Sequence, residues 1–387
     1  MNRILAVSLV ASCLCCTAVN GRAQVPDAAQ GEQAVDWSKA RDLLRRSQRG
    51  ERLSREDQAY LDHARKLRER AGGGPRPDGA SRSQGGKESY GLKPLDETTA
   101  DDRYQGEDGG LYGGGRNVPT AEHRNAAEAA LEKIRPLDAR GTPSAEGKIG
   151  FISISMSNAT QEFSMFVRLA GADEAKAPQV QVVDCAQGGQ AMAEWADPQA
   201  RPWEVAMQRL HAADLSPAQV QVAWIKLANK APRGDLQHHG RELQRDAADV
   251  IRNARARFPN LHIAYLSSRI YGGWSGGALN PEPYAYESGF VVRWLIQDQV
   301  AGNADLNFDP LRGDVKAPVL LWGPYLWADG VRSRNSDGLT WRRADLGPDG
   351  THPSEAGREK VARLILDFCK TDPLAAPWFC RSAPAAN

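Results

Sequence analysis

The sequence predicts an α/β protein, a three-layer α/β/α sandwich built on a five-stranded parallel sheet. Apolar runs alternate with amphipathic helical patterns through residues 148–372. Strands that alternate with helices of this length form parallel sheets covered on both faces. The composition, 41% hydrophobic and 25% charged, is typical of a globular protein.

The predicted strands and helices follow one another along the chain. The runs predicted as strands are 149–155, 180–184, 220–227, 261–266 and 318–322. The helical patterns cover about 120–135, 160–169, 202–213, 240–257, 284–300 and 354–367. Ligands of parallel sheets bind beyond the carboxyl ends of the strands, so the residues just after each apolar run are the candidates for chemistry.

The first 23 residues have the pattern of an export signal peptide. Asn2-Arg3 supplies a positive start, Ile4–Val19 is apolar or small, and Gly21-Arg22-Ala23 fits the site that a signal peptidase cleaves. We therefore expect export to the periplasm or the exterior. A lipoprotein anchor at Cys13 is the alternative. No later segment is apolar for long enough to predict a membrane span.

Two segments separate this signal from the α/β domain. Residues 24–71 predict a small helical segment in which Ser54 caps a helix, and residues 72–90 are rich in Gly, Pro and Ser, as in a flexible linker. The remaining 91–387 form the predicted α/β domain. The stretch 108–116 contains Leu111 and Tyr112 among glycines, which predicts an irregular loop lying on that domain.

Charge and cysteine content limit the partners. The net charge of +1 gives no long-range attraction to nucleic acid. No cofactor or metal site is predicted, because the histidine pair 238–239 lacks nearby ligands. Cleavage would leave Cys185, Cys369 and Cys380. The last two are close enough in sequence to pair, and three unpaired thiols are the alternative.

Polar residues follow the first three predicted strands. Ser157 lies between a strand and a helix, where free N–H groups favour negative charge, although an ordinary capping serine would look the same. Gly189 and Gln190 follow the second strand in a turn whose glycines let a backbone N–H approach a ligand. Asn229 follows the third, and its amide is able to bind an oxyanion or to close a turn.

An Asp-x-x-His motif lies near the carboxyl terminus. Asp349 precedes His352 by three residues, in a glycine-rich loop that leads into the last helix. This spacing allows the carboxylate to fold back on the imidazole and orient it as a base for a serine. A helix entry with a surface histidine is the alternative reading.

Taken together, these residues resemble the SGNH hydrolases, also called GDSL-type esterases, whose fold is flavodoxin-like. The resemblance implies that Ser157 is the nucleophile and that His352 and Asp349 complete the triad. It implies an oxyanion hole formed by Ser157, Gly189 and Asn229. The first motif departs from the family, because Ser155-Met156 stands where the family has Gly-Asp. The motif around Asn229 departs as well, because Leu227-Ala-Asn-Lys230 stands where the family has Gly-x-Asn-Asp.

The resemblance implies a secreted ester hydrolase with a small-molecule or carbohydrate ester, such as an O-acetylated sugar, as substrate. Five residues at the strand ends and on the adjoining helices are the candidate substrate contacts: Glu162, Gln190, Arg269, Tyr271 and Trp327. Other aromatic residues after strands four and five would suit either sugar stacking or packing. An inactive carbohydrate-binding module and an acyltransferase with the same nucleophile are the alternatives.

Overall fold

The structure is a computed structural model. It describes Lys39, Leu43 and residues 53–72, 86–277 and 279–381. The predicted signal peptide, Cys13 and most of the predicted linker lie outside the described residues. The chain divides into two compact units, residues 1–81 and 82–387.

The first unit contains a helix, α1, over Arg55–Gly72. Ser54 caps it, since its hydroxyl accepts the N–H of Asp57 at 3.1 Å. Leu61 and Ala64 are buried on one face of this helix. Of the preceding residues, Lys39 and Leu43 are described, and both are helical.

The second unit is built on a five-stranded sheet in the order β2-β1-β3-β4-β5, in which every neighbouring pair is parallel. The strands are β1 Ile149–Ile154, β2 Val180–Val183, β3 Val220–Lys226, β4 Ile263–Ser267 and β5 Val319–Trp322. This is the flavodoxin-like order, and the predicted fold class is confirmed. The strand predicted from 261 begins two residues later, because the N–H of Leu261 still bonds Phe258 in the turn after a helix.

Helices cover both faces of the sheet. They are α2 Ala121–Leu131, α3 Ser157–Ala172, α4 Met192–Ala196, α5 Arg201–Ala212, α6 Arg241–Arg257, α7 Tyr284–Val300, α8 Glu355–Thr371 and α9 Ala376–Phe379. Helices α3 and α8 pack together on one face, and α6 contacts α7 on the other. The short helices α4 and α9 were not predicted, because each is too short to show a helical period.

The residues just before the α/β core are part of this unit. The N–H of Lys87 bonds the carbonyl of Gly273, and the carboxylate of Asp329 accepts the N–H of Tyr90. Lys87 and Tyr90, at the end of the predicted linker, are therefore hydrogen-bonded to this unit. The loop 108–116 lies on the domain as predicted, with the carbonyl of Leu111 accepting the Trp322 indole N–H.

Cys185, Cys369 and Cys380 are free thiols, so the structure does not pair the last two. None of the helices within the described residues is long and apolar enough to cross a bilayer.

Two helical glycines allow a matched test of the packing. In α8, a Cβ added to Gly357 would lie 2.0 Å from the carbonyl oxygen of Asp345, whereas one on Gly171 in α3 would meet nothing within 4 Å. We expect Gly357→Ala to lower the free energy of unfolding by about 1–3 kcal/mol. Gly171→Ala should leave it unchanged or raise it, by up to about 1 kcal/mol. Denaturant unfolding of both variants measures the difference, and equal effects would contradict the close approach of α8 to this loop.

Candidate active site

Ser157 stands at the edge of the sheet where the strands end. Strand β1 ends at Ile154, and Ser157 is the first residue of α3. The first helical hydrogen bond runs from the N–H of Thr160 to the carbonyl of Met156. The N–H groups before Thr160 therefore lack an intrahelical acceptor and give this end of the helix a positive potential.

A partly buried carboxylate fixes this end of α3 to the neighbouring strands. Asp184, directly after β2, accepts the hydroxyl groups of Ser153 at 2.6 Å, Thr160 at 2.5 Å and Ser164 at 2.8 Å. Burial raises the pKa of Asp184, and these donors oppose that rise. The position of Ser157 is thus set by bonds to both β1 and β2.

The structure brings Ser157, His352 and Asp349 together. The Ser157 hydroxyl lies 2.8 Å from Nε2 of His352. Nδ1 of the same imidazole lies 2.5 Å from Oδ2 of Asp349. A proton on Nδ1 leaves Nε2 as an acceptor for the serine proton, which is the geometry of a nucleophile, a base and an orienting carboxylate.

The loop that carries the aspartate and histidine is held from within. Oδ1 of Asp349 accepts the N–H groups of Thr351 and His352, both at 3.0 Å. Burial acts to raise the pKa of Asp349, but the hydrogen bonds from His352 and Thr351 outweigh it and keep this pKa below its ordinary value. The carboxylate thus stays charged opposite the imidazole.

Neighbouring elements clamp the same loop. The amide of Asn158 in α3 donates to the carbonyl of Thr351 at 2.9 Å, and the Thr351 hydroxyl lies 2.6 Å from that of Ser275. Gly350 has φ of 65°, and a Cβ there would lie 1.8 Å from the carbonyl oxygen of Trp274. Only glycine fits this close approach.

The site is open to solvent. The side chain of His352 is 29% exposed and that of Asp349 is 51% exposed. Water therefore reaches the imidazole from solvent.

Backbone groups adjoin the serine where an oxyanion would form. A Cβ on Gly188 would lie 4.0 Å from Cβ of Ser157, so this glycine lies against the nucleophile. Gly189 has φ of 78°, and its carbonyl accepts the Lys230 ammonium at 3.0 Å. In this glycine turn, Gly188 is thus the residue next to the serine, and a Cβ added to the predicted Gly189 would meet nothing within 4 Å.

The amide of Asn229 is bonded to other parts of the chain. Its Oδ1 accepts the N–H of Ala193 at 2.9 Å, and its Nδ2 donates to Asp246. Asn280 donates to the carbonyl of Asn229 at 2.5 Å. The structure shows no bond between Asn229 and the serine–histidine–aspartate group.

Four of the five predicted substrate contacts are in the interior, and this corrects the prediction. Glu162, Arg269, Tyr271 and Trp327 are each at most 2% exposed. Tyr271 donates to the carbonyl of Lys87, and the Trp327 indole donates to Glu282. Of the predicted set, only Gln190 is partly exposed. The sequence could not show that the other four point inward.

The aromatic residues after β4 and β5 are also buried. Trp274, Trp322, Tyr325 and Trp341 are at most 9% exposed. Their ring contacts are with one another and with the core, as between Trp322 and Tyr325 at 5.7 Å. The packing reading of these aromatics therefore holds, and they present no stacking surface to a sugar.

A buried ion pair supports the nucleophile from below. Lys226, the last residue of the central strand β3, donates to both carboxylate oxygens of Glu162 in α3, at 2.6 and 2.7 Å. Both side chains are 0% exposed. Burial lowers the pKa of Lys226 to about 8 and raises that of Glu162, while their mutual attraction opposes both shifts.

A second buried cation lies beside this pair. Arg269, after β4, is 2% exposed, and its Nη1 lies 3.7 Å from the sulfur of Met156. Its Nε has no hydrogen-bond partner among the described residues. Arg269 thus acts on the Glu162 carboxylate through its charge alone, while Lys226 forms the direct ion pair. A lysine inside the apolar run 220–227 was the sequence signal for this pair, and Asn158 beside the serine was the signal for the loop clamp.

No family model and no curated protein matches this chain. Similar solved structures include an acetyl-xylooligosaccharide esterase from Geobacillus, with 18% identity over 61% of this chain and 97% of that one at a TM-score of 0.32. The periplasmic domain of a Salmonella lipopolysaccharide acetyltransferase has 12% identity over 64% of this chain and 97% of that one, at a TM-score of 0.31. An extracellular lipase from Streptomyces rimosus has 11% identity over 57% of this chain and 98% of that one, at a TM-score of 0.30.

The buried pair predicts a strong coupling in stability. Lys226→Met leaves the Glu162 carboxylate buried without its main partner and should cost about 3–5 kcal/mol of unfolding free energy. The double variant Lys226→Met/Glu162→Leu should lose less stability than the sum of the two single variants, because it leaves neither member of the pair without its partner. Denaturant unfolding of the two single variants and the double variant gives the coupling.

The exposed pair of Arg363 and Glu359 on α8 is the control. Arg363→Met should cost less than about 1 kcal/mol. Additive effects of the two buried substitutions would contradict the coupling.

Proposed function

We propose that this chain is an exported serine hydrolase that cleaves a carboxylic ester, with Ser157 as nucleophile, His352 as general base and Asp349 as the carboxylate that orients the base. The observation that carries the proposal is the unbroken hydrogen-bonded chain from the serine hydroxyl through the imidazole to the carboxylate. Each link is within hydrogen-bonding distance.

The reaction proceeds through an acyl-enzyme. His352 takes the hydroxyl proton as the Ser157 oxygen attacks the ester carbonyl, and the tetrahedral intermediate collapses with transfer of that proton to the departing alcohol. Water then attacks the acyl group and gives a proton to His352. The second collapse returns this proton to Ser157 and releases the carboxylic acid.

The oxyanion is stabilised by backbone N–H groups at the start of α3 and in the glycine turn. Ser157 and Gly189 are the proposed donors, and Gly188 is a further candidate because it lies against the serine. Asn229 donates one amide hydrogen to Asp246. Its second amide hydrogen is the third proposed donor to the oxyanion. The loss of one such donor slows turnover by about 10²–10³-fold.

The substrate is proposed to be a short-chain ester on a bulky polar alcohol, such as an O-acetyl group on a carbohydrate. The exposure of His352 and Asp349 supports this choice, because an open site accepts a large alcohol. The same exposure favours hydrolysis over acyl transfer, since water reaches the acyl-enzyme. The intact hydrogen-bonded chain favours an active enzyme over an inactive binding module.

The domain organisation accompanies this proposal. Residues 1–23 act as the signal peptide, 24–71 as a separate helical segment and 72–90 as the linker to the hydrolase domain of 91–387, with Lys87 and Tyr90 at the end of the linker bonded to that domain. The apolar run at 4–19 and the small residues at 21–23 support export.

Ser157→Ala should abolish the hydrolysis of a short-chain aryl ester, with a loss of roughly 10⁴-fold or more in kcat/KM. A serine-directed organophosphate should add to wild type at Ser157 and should not add to the variant. The measurements are initial rates and the intact mass before and after labelling. Ser333→Ala, an exposed serine outside this hydrogen-bond network, is the control and should retain both activities.

If the folded wild type neither hydrolyses the ester nor reacts with the organophosphate, the hydrolase proposal fails. Acetyl release from an acetylated polysaccharide without an added acceptor would support hydrolysis. Turnover that needs an added alcohol would contradict hydrolysis and favour the transferase.

Two variants distinguish a role of the Asn229 amide in oxyanion binding from its structural bond to Asp246. Asn229→Ala should lower kcat by about 10²–10³-fold with little change in KM. Asp246→Ala removes the partner of the asparagine but keeps the amide, and should lower kcat far less. Steady-state kinetics on both variants measure this, and equal losses would make Asn229 an anchor alone.

A further inference from the structure

A cavity lies at the edge of the sheet opposite Ser157. It has a volume of about 490 Å³ and is bounded by α2, by the residues leading into β4 and β5, and by the segment 308–315. This size is in the range of sites for small molecules, which is about 300–1,000 Å³. Apolar side chains form most of its wall, among them Leu261, Phe308 and Val319.

One side of this cavity is basic. Lys133, Arg255 and His262 line it, and the charge of Arg135 also acts on His262. No salt bridge joins Lys133, Arg135 or Arg255 to a carboxylate within the described part of the chain. Arg255 has one distant bond, from Nη1 to the carbonyl of Phe258 at 3.4 Å.

The acidic residue of the wall does not neutralise these cations. The Asp309 carboxylate accepts the N–H of Leu311 at 2.9 Å and lies 3.7 Å from Arg312. The basic side of the cavity therefore keeps an excess of positive charge. Arg255 is half-buried and burial lowers its pKa, so an anion that pairs with it would offset the cost of that burial.

The excess of positive charge affects the pKa of His262. Burial, together with the charges of Lys133, Arg255 and Arg135, lowers the pKa of His262 to about 4. The imidazole is therefore neutral at pH 7, and its ring has no hydrogen-bond partner among the described residues. It is able to donate a hydrogen bond to an anion without adding a further charge.

Apolar side chains are exposed close to the same cavity. Leu311 is 94% exposed and follows Asp309 and Pro310 of the cavity wall. Val300, 37% exposed, lines an adjoining cavity that shares Phe308 and Asp309. These two side chains add exposed apolar surface next to the cavity wall.

We propose that this cavity binds a singly charged organic anion with an apolar body, such as a medium-chain carboxylate, with Arg255 and Lys133 pairing the charge and Phe308, Leu261 and Val319 packing on the chain. A small inorganic oxyanion would leave the apolar wall hydrated, and a neutral chain would leave the cations uncompensated. The site is separate from the proposed catalytic residues, which lie at the other ends of the strands.

Titration of the full chain with octanoate tests this proposal. The protein carries Ser157→Ala, so that no turnover occurs, and isothermal titration calorimetry measures binding. Octan-1-ol has the apolar chain without the charge, and inorganic phosphate has negative charge without the chain, so these two probes test each property separately. We expect octanoate to saturate the protein, and both other probes to bind at least about tenfold more weakly.

Substitutions assign the binding to this cavity. Arg255→Met and Lys133→Met should each weaken octanoate binding by about tenfold or more and leave ester hydrolysis in the Ser157-containing chain unchanged. Lys133 is exposed, so its replacement should not disturb folding, which circular dichroism checks. Arg363→Met, a cation on α8 with its own carboxylate partner, is the control and should bind octanoate as the parent does.

Three outcomes would overturn the proposal: no octanoate binding by the folded protein, equal binding of octanol and octanoate, or unchanged octanoate binding in both variants. None of these outcomes depends on whether the chain hydrolyses esters.

Discussion

The buried ion pair between Lys226 and Glu162 is the constraint on which the site depends. It joins the carboxyl end of the central strand to the helix that begins with Ser157. Two charges without solvent exposure are costly to bury, and they stay there only with a well-aligned partner. The pair therefore sets the distance and rotation of α3 relative to the sheet, and Arg269 adds positive charge on the same side.

The serine and the histidine loop come from distant parts of the sequence and meet through few bonds. Asn158 and Ser275 hold Thr351, while the backbone N–H groups of the loop hold the Asp349 carboxylate. Both ends of the imidazole are thus fixed before any substrate binds. Preorganised groups of this kind need no rearrangement during the reaction, which agrees with a site that is open to solvent.

The two edges of the sheet carry different chemistry. At the carboxyl edge the charged groups are paired or hydrogen-bonded within the protein, and a neutral hydroxyl is left facing solvent. At the amino edge Lys133 and Arg255 have no carboxylate partner among the described residues, and they face an apolar cavity. Strand β4 connects the two edges, with His262 before its first residue and Arg269 after its last.

The sequence by itself determined the layers of the fold and the polar residues that follow the strands, because apolar periodicity is a local property. It also determined Ser157, Asp349 and His352 as candidates, since the three-residue spacing of the last two is local as well. It did not determine which side chains face solvent. Glu162 and Trp327 were expected at the substrate, yet both are buried. A charged residue in a helix or an aromatic residue after a strand has the same local sequence pattern whether it points outward or inward. Only tertiary packing, which supplies Lys226 to Glu162 and Glu282 to Trp327, decides that direction.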